Sequence, residues 1–296
     1  MEPSAPPPPG GSRPRRISAA EQGPEAERRQ DTTVGLVELT RWRTPIGRAL
    51  AGVAHRIGAL LGPHAALVLV LVIGLAVTTA LGFLAAEVYD AVTDRDGVAG
   101  VDRPVLDAIL AVRDPATAVV VTHFTDLAGT VGMPLIAIGA LLVLGIRRRS
   151  WTPPILIVAA GAGSLLMTVA GKLVVGRDRP PLADAVPPYE LSASFPSGHT
   201  LNAVAILGIV AYLLILRRHH AWSRAAIIVG AVVATVLVAA SRVYLGHHWV
   251  TDVVAGWLLG AAWLAMVITA HRLYLTLRAD RVEPLTERAS GPPPSR

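Results

Sequence analysis

A histidine and a carboxylate with helical spacing are the residues of this chain best suited to chemistry. His248 and Asp252 lie four residues apart at the start of an apolar segment, so on a helix they share one face. The carboxylate can accept a hydrogen bond from one ring nitrogen and leave the other nitrogen basic, which is how a nucleophilic histidine is activated. His247 is a rival, but it lies five residues from Asp252 and off that face, so we assign it a neighbouring or substrate-edge role. The alternative for Asp252 is a structural pair with Arg242 or a histidine.

Three cations accompany this pair in the sequence. Lys172 lies near the end of one apolar segment, and Arg179 follows seven residues later. Arg242 ends another apolar segment and is separated from His248 by a short turn, so it must lie close to that histidine. Lysine offers a point charge, whereas arginine offers a planar fork that grips two phosphate oxygens. Taken singly, Lys172 could be a membrane-interface anchor and Arg179 a solvated loop charge.

A third motif, Pro196-Ser197-Gly198-His199, lies where a loop enters an apolar segment. Backbone amides at a helix start attract phosphate, and the Ser197 hydroxyl can either cap the helix or donate to a phosphate oxygen. On its own, His199 could be an interfacial histidine without a chemical role. Three cations, a helix start, two histidines and a carboxylate together predict a site for phosphoryl transfer through a covalent intermediate.

The composition indicates a membrane protein. Of the 296 residues, 52% are hydrophobic and 16% are charged, against about 25% charged residues in average soluble chains. The apolar residues form runs long enough to cross a bilayer, which takes about 20 residues. The net charge of +6 lies mostly in the tails and short loops, so it does not indicate nucleic-acid binding. The chain has no cysteine, which excludes disulfides and thiolate metal sites.

We predict an all-α, polytopic membrane protein, a six-helix transmembrane bundle with short surface helices between spans one and two. A helix satisfies its own backbone hydrogen bonds in lipid. Each apolar segment is therefore assigned a helix, at about 65–86, 130–146, 153–175, 199–216, 225–243 and 249–273. The second span could begin nearer Ala118. The mixed stretch 103–127 is typical of short amphipathic helices on or near the membrane surface.

Polar tails flank the predicted six-span domain of residues 63–275. Residues 1–62 are Pro- and Arg-rich, and residues 276–296 are similar. We expect both tails to be disordered for the most part, although residues 41–60 could form a basic helix on the membrane surface. With six spans the tails share one side, and that side carries 20 of the 27 Lys and Arg residues. Both termini are therefore predicted to be cytoplasmic, and the three motifs to lie on the extracytoplasmic face of the cell membrane.

These motifs resemble the three-part signature of the type 2 phosphatidic acid phosphatases, a superfamily that also contains the vanadium haloperoxidases. The matching positions are Lys172-x6-Arg179-Pro180, Pro196-Ser197-Gly198-His199 and Ser241-Arg242-x5-His248-x3-Asp252. All three parts occur in order, with the expected spacing and without substitution. The resemblance covers about residues 65–273.

The resemblance implies a role for each position. His248 would be the nucleophile that forms a phosphohistidine, and Asp252 would orient it. His199 would protonate the leaving oxygen and then activate the water. The phosphate would be held by Lys172, Arg179, Ser197, the Gly198 backbone amide and Arg242. The resemblance also implies hydrolysis without a metal or another cofactor.

We therefore predict a metal-independent phosphatase that hydrolyses a lipid phosphate monoester or pyrophosphate in the bilayer. A lipid phosphotransferase that uses the same phosphohistidine is the main alternative, and a non-catalytic lipid-binding protein and a haloperoxidase are further ones.

The sequence leaves the lipid open among undecaprenyl pyrophosphate, phosphatidic acid, phosphatidylglycerol phosphate and other polyprenyl phosphates. A polyprenyl carrier is favoured because the composition is typical of a high-GC bacterium. The loop from Pro181 to Phe195, which contains Tyr189 and Glu190, is expected to shape head-group choice. The sequence does not indicate an oligomeric state.

Overall fold

The described part of the chain is mainly helical. The computed structural model describes residues 31–35, 37–62, 65, 68–76, 79, 80 and 98–289. Two short antiparallel strands, β1 (Thr33–Val34) and β2 (Val37–Glu38), precede the first helix, α1 (Pro45–Leu61). After a short 3-10 turn at Val98–Val101 come α2 (Asp102–Val112), α3 (Pro115–Asp126), α4 (Gly132–Arg148), α5 (Thr152–Val175), α6 (Gly198–Ile215), α7 (Ala221–Tyr244) and α8 (Val250–Ala289).

Within the residues that the structure describes, four helices are long and apolar enough to cross a membrane, in agreement with the predicted membrane protein. They are Thr152–Val175, Gly198–Ile215, Ala221–Tyr244 and the part of α8 at Val250–Arg278, and they match the last four predicted spans within a few residues. The second predicted span corresponds to α4, which has 17 residues. The first, at about 65–86, lies partly outside the described residues, and its described stretch at 68–76 is helical.

The stretch before α4 forms two short helices, as predicted for residues 103–127. Asp114 starts the second of them, because its Oδ1 accepts hydrogen bonds from the backbone of Ala116 and Thr117, both at 3.0 Å. A turn at residues 127–131 then separates α3 from α4. The alternative in which the second span begins near Ala118 is therefore wrong, since that residue lies in α3 across this turn.

Helix α6 is the centre of the bundle. It is apolar on every side and contacts α5, α7 and α8, as expected for a helix buried all round. Its neighbours α4, α5 and α7 carry rows of exposed Leu, Ile and Val, which is the surface a bilayer would cover. Close packing between α5 and α8 requires Gly163, because a Cβ there would lie 2.2 Å from the Trp263 ring. These contacts fix the helix ends that carry the predicted motifs.

Part of the N-terminal region expected to be disordered is folded. Helix α1 corresponds to the basic helix expected at 41–60, and Ala54 packs in a small apolar cluster with Leu273 and Leu277 of α8. Trp42 adds a hydrogen bond from Nε1 to Thr276 Oγ1 of 3.2 Å. At the other terminus, α8 runs past the predicted boundary at 275 to Ala289. The Pro-rich residues 1–30 lie outside the described part of the chain, so their expected disorder stays a prediction.

Candidate active site

The turn between α7 and α8 places the predicted nucleophile. Gly246 in this turn has a φ of +70°, and a Cβ there would lie 2.4 Å from the Asp184 carbonyl oxygen, so only glycine fits. The backbone amides of His247 and His248 both donate to the Arg242 carbonyl, at 3.0 and 3.3 Å. His248 therefore lies directly beside the end of α7, as the short spacing predicted.

His248 faces a carboxylate on one side and a cation on the other. Its Nδ1 lies 3.5 Å from Asp252 Oδ2, and its Nε2 lies 3.2 Å from Arg179 Nη1. Because a guanidinium can only donate, Nε2 is the acceptor and the proton belongs on Nδ1, toward the carboxylate. Burial lowers the pKa of His248 to about 4; the hydrogen bond to Asp252 opposes this, and Arg179 and Arg242 add to it. The ring is therefore neutral near pH 7, with Nε2 basic.

Asp252 is fully buried and held on both of its oxygens. Oδ1 accepts from Arg177 Nη1 at 2.6 Å, while Oδ2 accepts from Ser194 Oγ at 2.5 Å and from the Trp249 amide at 3.0 Å. The Ser194 hydroxyl also lies 3.4 Å from His248 Nδ1. These donors fix the orientation of the carboxylate that in turn fixes the histidine.

Arg177 extends this network to the surface helix α2, a contact that sequence reasoning missed. Its Nη2 lies 2.6 Å from Asp102 Oδ2, and Asp102 Oδ1 accepts from the Thr251 amide at 3.0 Å. One signal could have suggested such residues: a carboxylate buried at a helix start needs more donors than one histidine. That signal does not say which residues of the preceding loop supply the donors, so Arg177 and Ser194 were not identified.

The three predicted cations all contact one short loop, at residues 190–193. Lys172 Nζ donates to Ser192 Oγ at 3.2 Å and to the Ala193 carbonyl. Arg179 donates through Nε to the Ser192 carbonyl at 2.7 Å. Arg242, whose side chain is 2% exposed, pairs with Glu190. The structure thus brings together cations from the end of α5, the following loop and the end of α7.

A cavity of about 740 Å³ lies among these groups. Four of the eight predicted site residues line it: Lys172, Gly198, His199 and His248. Arg179 and Arg242 reach its wall through their contacts with His248 and Glu190, whereas Asp252 lies behind His248. His199 lies on the side of the α3–α4 turn, where its Nε2 is 3.3 Å from the position that a Gly129 Cβ would occupy.

Ser197 and His247 do not line this cavity but contact the residues around it. The Ser197 side chain is buried and does not cap α6; its Oγ accepts from Thr200 Oγ1 at 3.0 Å, and its amide donates to the Asp252 carbonyl at 3.1 Å. His247 Nε2 lies 2.6 Å from the Val186 carbonyl. The rival histidine therefore has a neighbouring position in which it holds the loop before α6.

Comparisons with known proteins identify the family of this chain. Residues 153–274 match the model of the PAP2 superfamily. The chain is 36% identical over 185 residues to phosphatidylglycerophosphatase B of Bacillus subtilis, covering 60% of this chain and 87% of that protein. It is also 41% identical over 80 residues to an undecaprenyl-diphosphatase of Sulfolobus acidocaldarius, covering 27% of this chain and 34% of that protein.

A solved structure shows the same fold. The crystal structure of a transmembrane PAP2 type phosphatidylglycerolphosphate phosphatase from Bacillus subtilis has a TM-score of 0.57 and 28% identity, covering 64% of this chain and 94% of that chain. The relatives are named as phosphatases, which confirms the prediction of a phosphatase. The matches span the helices that carry all three motifs, and this chain belongs to the PAP2 superfamily.

Proposed function

We propose that this protein is a metal-independent lipid phosphate phosphatase that acts through a phosphohistidine on His248. The observation that carries this proposal is the orientation of that ring, whose Nε2 faces the Arg179 side while Nδ1 faces a fully held carboxylate. Only the unprotonated nitrogen can attack phosphorus, and here it is the one beside the cations.

In the first step, Nε2 of His248 attacks phosphorus and the bond from phosphorus to the leaving oxygen breaks. His199, which also lines the cavity, gives that oxygen a proton. In the second step His199 takes a proton from water, the water oxygen bonds to phosphorus, and the bond to Nε2 breaks. Lys172, Arg179 and Arg242 stabilise the charge on the three transferring oxygens in both steps, which is the main source of acceleration in phosphoryl transfer.

A second cavity supports a lipid as the substrate. It has a volume of about 470 Å³, lies between α4, α5 and α6, and is lined mainly by apolar side chains. It shares four lining residues with the first cavity: Gly129, Thr130, Leu165 and Asn202. A phosphate in the polar cavity would therefore place the attached chain among apolar side chains. Phosphatidylglycerol phosphate and undecaprenyl pyrophosphate are the substrate candidates that the names of the relatives suggest.

The six-span topology with an extracytoplasmic site is part of the same proposal. All three motifs lie at one end of the helices, while Arg147, Arg148, Arg217 and Arg218 lie at the opposite ends of α4 and α6. An excess of arginine marks the cytoplasmic side. Both termini would then be cytoplasmic, and the head group would enter from the outer surface.

Phosphate release from a panel of lipid phosphates in detergent micelles tests the function. We expect hydrolysis of at least one polyprenyl or glycerol lipid phosphate, unaffected by chelators and absent with His248→Ala. Activity that requires added divalent ions, or that survives in folded His248→Ala protein, contradicts the proposal. Transfer of labelled phosphate to a second lipid instead of water identifies a phosphotransferase.

A further inference from the structure

Glu190 lies among the cations of the active site, although no step of the mechanism uses it. Its Oε2 pairs with Arg179 Nη2 at 2.8 Å, and its Oε1 accepts a hydrogen bond from Arg242 Nη2. The residue also lines the cavity that contains Lys172, His199 and His248. One carboxylate therefore engages both arginines that the proposed function assigns to the phosphate.

Glu190 binds the two arginines in the same way that the phosphate of the substrate would bind them. A guanidinium donates to carboxylate and phosphate oxygens with the same planar geometry, so the two anions compete for the same N–H groups. Arg177 differs, because its partners Asp102 and Asp252 belong to the network behind the nucleophile. Among the described residues, the ion pairs of Glu190 are with the two arginines whose donors the transferring group needs.

We propose that Glu190 is an internal competitor of the phosphoryl group and that it sets the substrate affinity of this site. Its carboxylate must turn away from Arg179 and Arg242 before a phosphate can bind them. This inference rests on the proposed function, since it takes the anion to be the phosphate of a lipid.

The position of Glu190 allows this displacement. Its side chain is 29% exposed, whereas that of Asp252 is 0% exposed. It lies in a stretch without helix between Val186 and Pro196, so rotation of one side chain suffices and no helix has to move. Burial would raise the pKa of Glu190, but Arg242 and Arg179 outweigh it and lower the pKa to about 2. The group is thus an anion throughout the neutral range, and phosphate always meets a charged competitor.

Binding of orthophosphate to the full-length protein in detergent, measured by equilibrium dialysis, tests the inference without requiring hydrolysis. Glu190→Gln keeps the size of the side chain and removes its charge, so we expect the Kd to fall about tenfold, the scale of one charge-assisted hydrogen bond. Glu190→Asp keeps the charge on a shorter chain and should give a Kd between those of Glu190→Gln and the wild type. Asp184→Asn is the matched control, because Asp184 belongs to the same loop but pairs with the exposed Arg103 at 3.0 Å; its Kd should equal that of the wild type.

Unchanged or weaker phosphate binding by Glu190→Gln overturns the inference and makes Glu190 a residue that only positions the arginines. If Glu190→Gln loses its cooperative thermal transition, Glu190→Asp decides in its place, and a Kd at or above the wild-type value overturns the inference. The failure of the proposed function looks different: the wild type would release phosphate from no lipid in the panel. An active wild type with unchanged phosphate affinity in both variants contradicts this inference alone.

Discussion

Two carboxylates each lie between two arginines at opposite ends of the helices, and they differ in burial and in pKa. Glu190, at the site, is 29% exposed, and its arginines lower its pKa to about 2. Asp31, at the other end, is 1% exposed and lies 3.5 Å from Arg148 and 3.2 Å from Arg217. There burial outweighs the arginines and raises the pKa of the carboxyl group.

The histidines at the two ends show the same contrast. His248 has a carboxylate on Nδ1 and lines a cavity with Nε2 beside a cation. His271 is as deeply buried, but its Nδ1 lies 2.9 Å from the Tyr212 hydroxyl and its ring packs edge-on against Tyr212. Deep burial alone therefore does not make a histidine part of an active site. The convergence of an oriented basic nitrogen and several cations on a cavity does.

Replacing each histidine in turn should give the largest difference in kcat between the two ends of the molecule. His248→Gln should lower kcat by at least about a thousandfold, since removal of a nucleophile costs that much or more. His271→Gln should leave kcat within about twofold of the wild type, because structural changes of this kind act on stability. Initial rates with a lipid phosphate, with thermal midpoints measured in the same detergent, check both. An equal loss in both variants would show that burial, not position at the cavity, decides activity.

Replacing the carboxylates should give the next largest effect. Asp252→Asn keeps the size of the side chain but no longer stabilises the Nδ1–H of His248, so kcat should fall about a hundredfold or more. Asp31→Asn removes the corresponding charge at the opposite end and should change kcat by about twofold or less. Steady-state kinetics with purified protein decide, and an active Asp252→Asn enzyme would argue against orientation of the histidine by this group.

Removing the hydrogen-bond donors of Asp252 should lower kcat by a smaller factor. A merely structural role of these donors would not lower kcat at nearly unchanged KM. Arg177→Met and Ser194→Ala each remove one bond to the carboxylate, at 2.6 and 2.5 Å. We expect kcat to fall about tenfold in each case, with KM nearly unchanged, because the phosphate-binding groups remain. A rise in KM with unchanged kcat would place these residues in substrate binding instead.

The smallest of the expected effects is a shift in the pH dependence of kcat/KM. The reacting ring is neutral, and protonation removes the nucleophile, so the rate falls as pH drops through the His248 pKa. Because that pKa is lowered to about 4, the acid limb of a bell-shaped kcat/KM profile should lie nearer pH 4 than the ordinary value of about 6.5. Two lipid phosphates must be compared, since a limb that moves with the substrate belongs to the substrate phosphate. A fixed limb near pH 6.5 would contradict the neutral, buried nucleophile.

Local spacing predicted the parts of this molecule that depend on one helix. The membrane-crossing helices α5 to α8 follow from the apolar segments of the sequence. The contact of His248 with Asp252 follows from their helical spacing, and its contact with Arg242 follows from the short turn between them. Ser194, Arg177 and Asp102 could not be found this way, because their contacts join residues 58 to 75 positions apart. Glu190 was placed in a loop expected to shape head-group choice, but its pairing with Arg242, 52 positions away, depends on how that loop folds back. The helix expected at residues 41–60 was found as α1, but its packing on residues more than 200 positions later in the chain could not be predicted from local spacing.

The central claim is that His248 carries the phosphoryl group, and trapping that intermediate tests it most directly. Protein should be incubated with a lipid phosphate labelled at phosphorus, quenched with denaturant at alkaline pH and mapped by mass spectrometry. His199→Gln should accumulate label, because loss of its water-activating group slows the second step more than the first for a substrate with a good leaving group. The account predicts acid-labile, alkali-stable label on His248 in this variant and none in the double variant with His248→Gln. Label on any other residue, or active turnover without labelled protein, would contradict it.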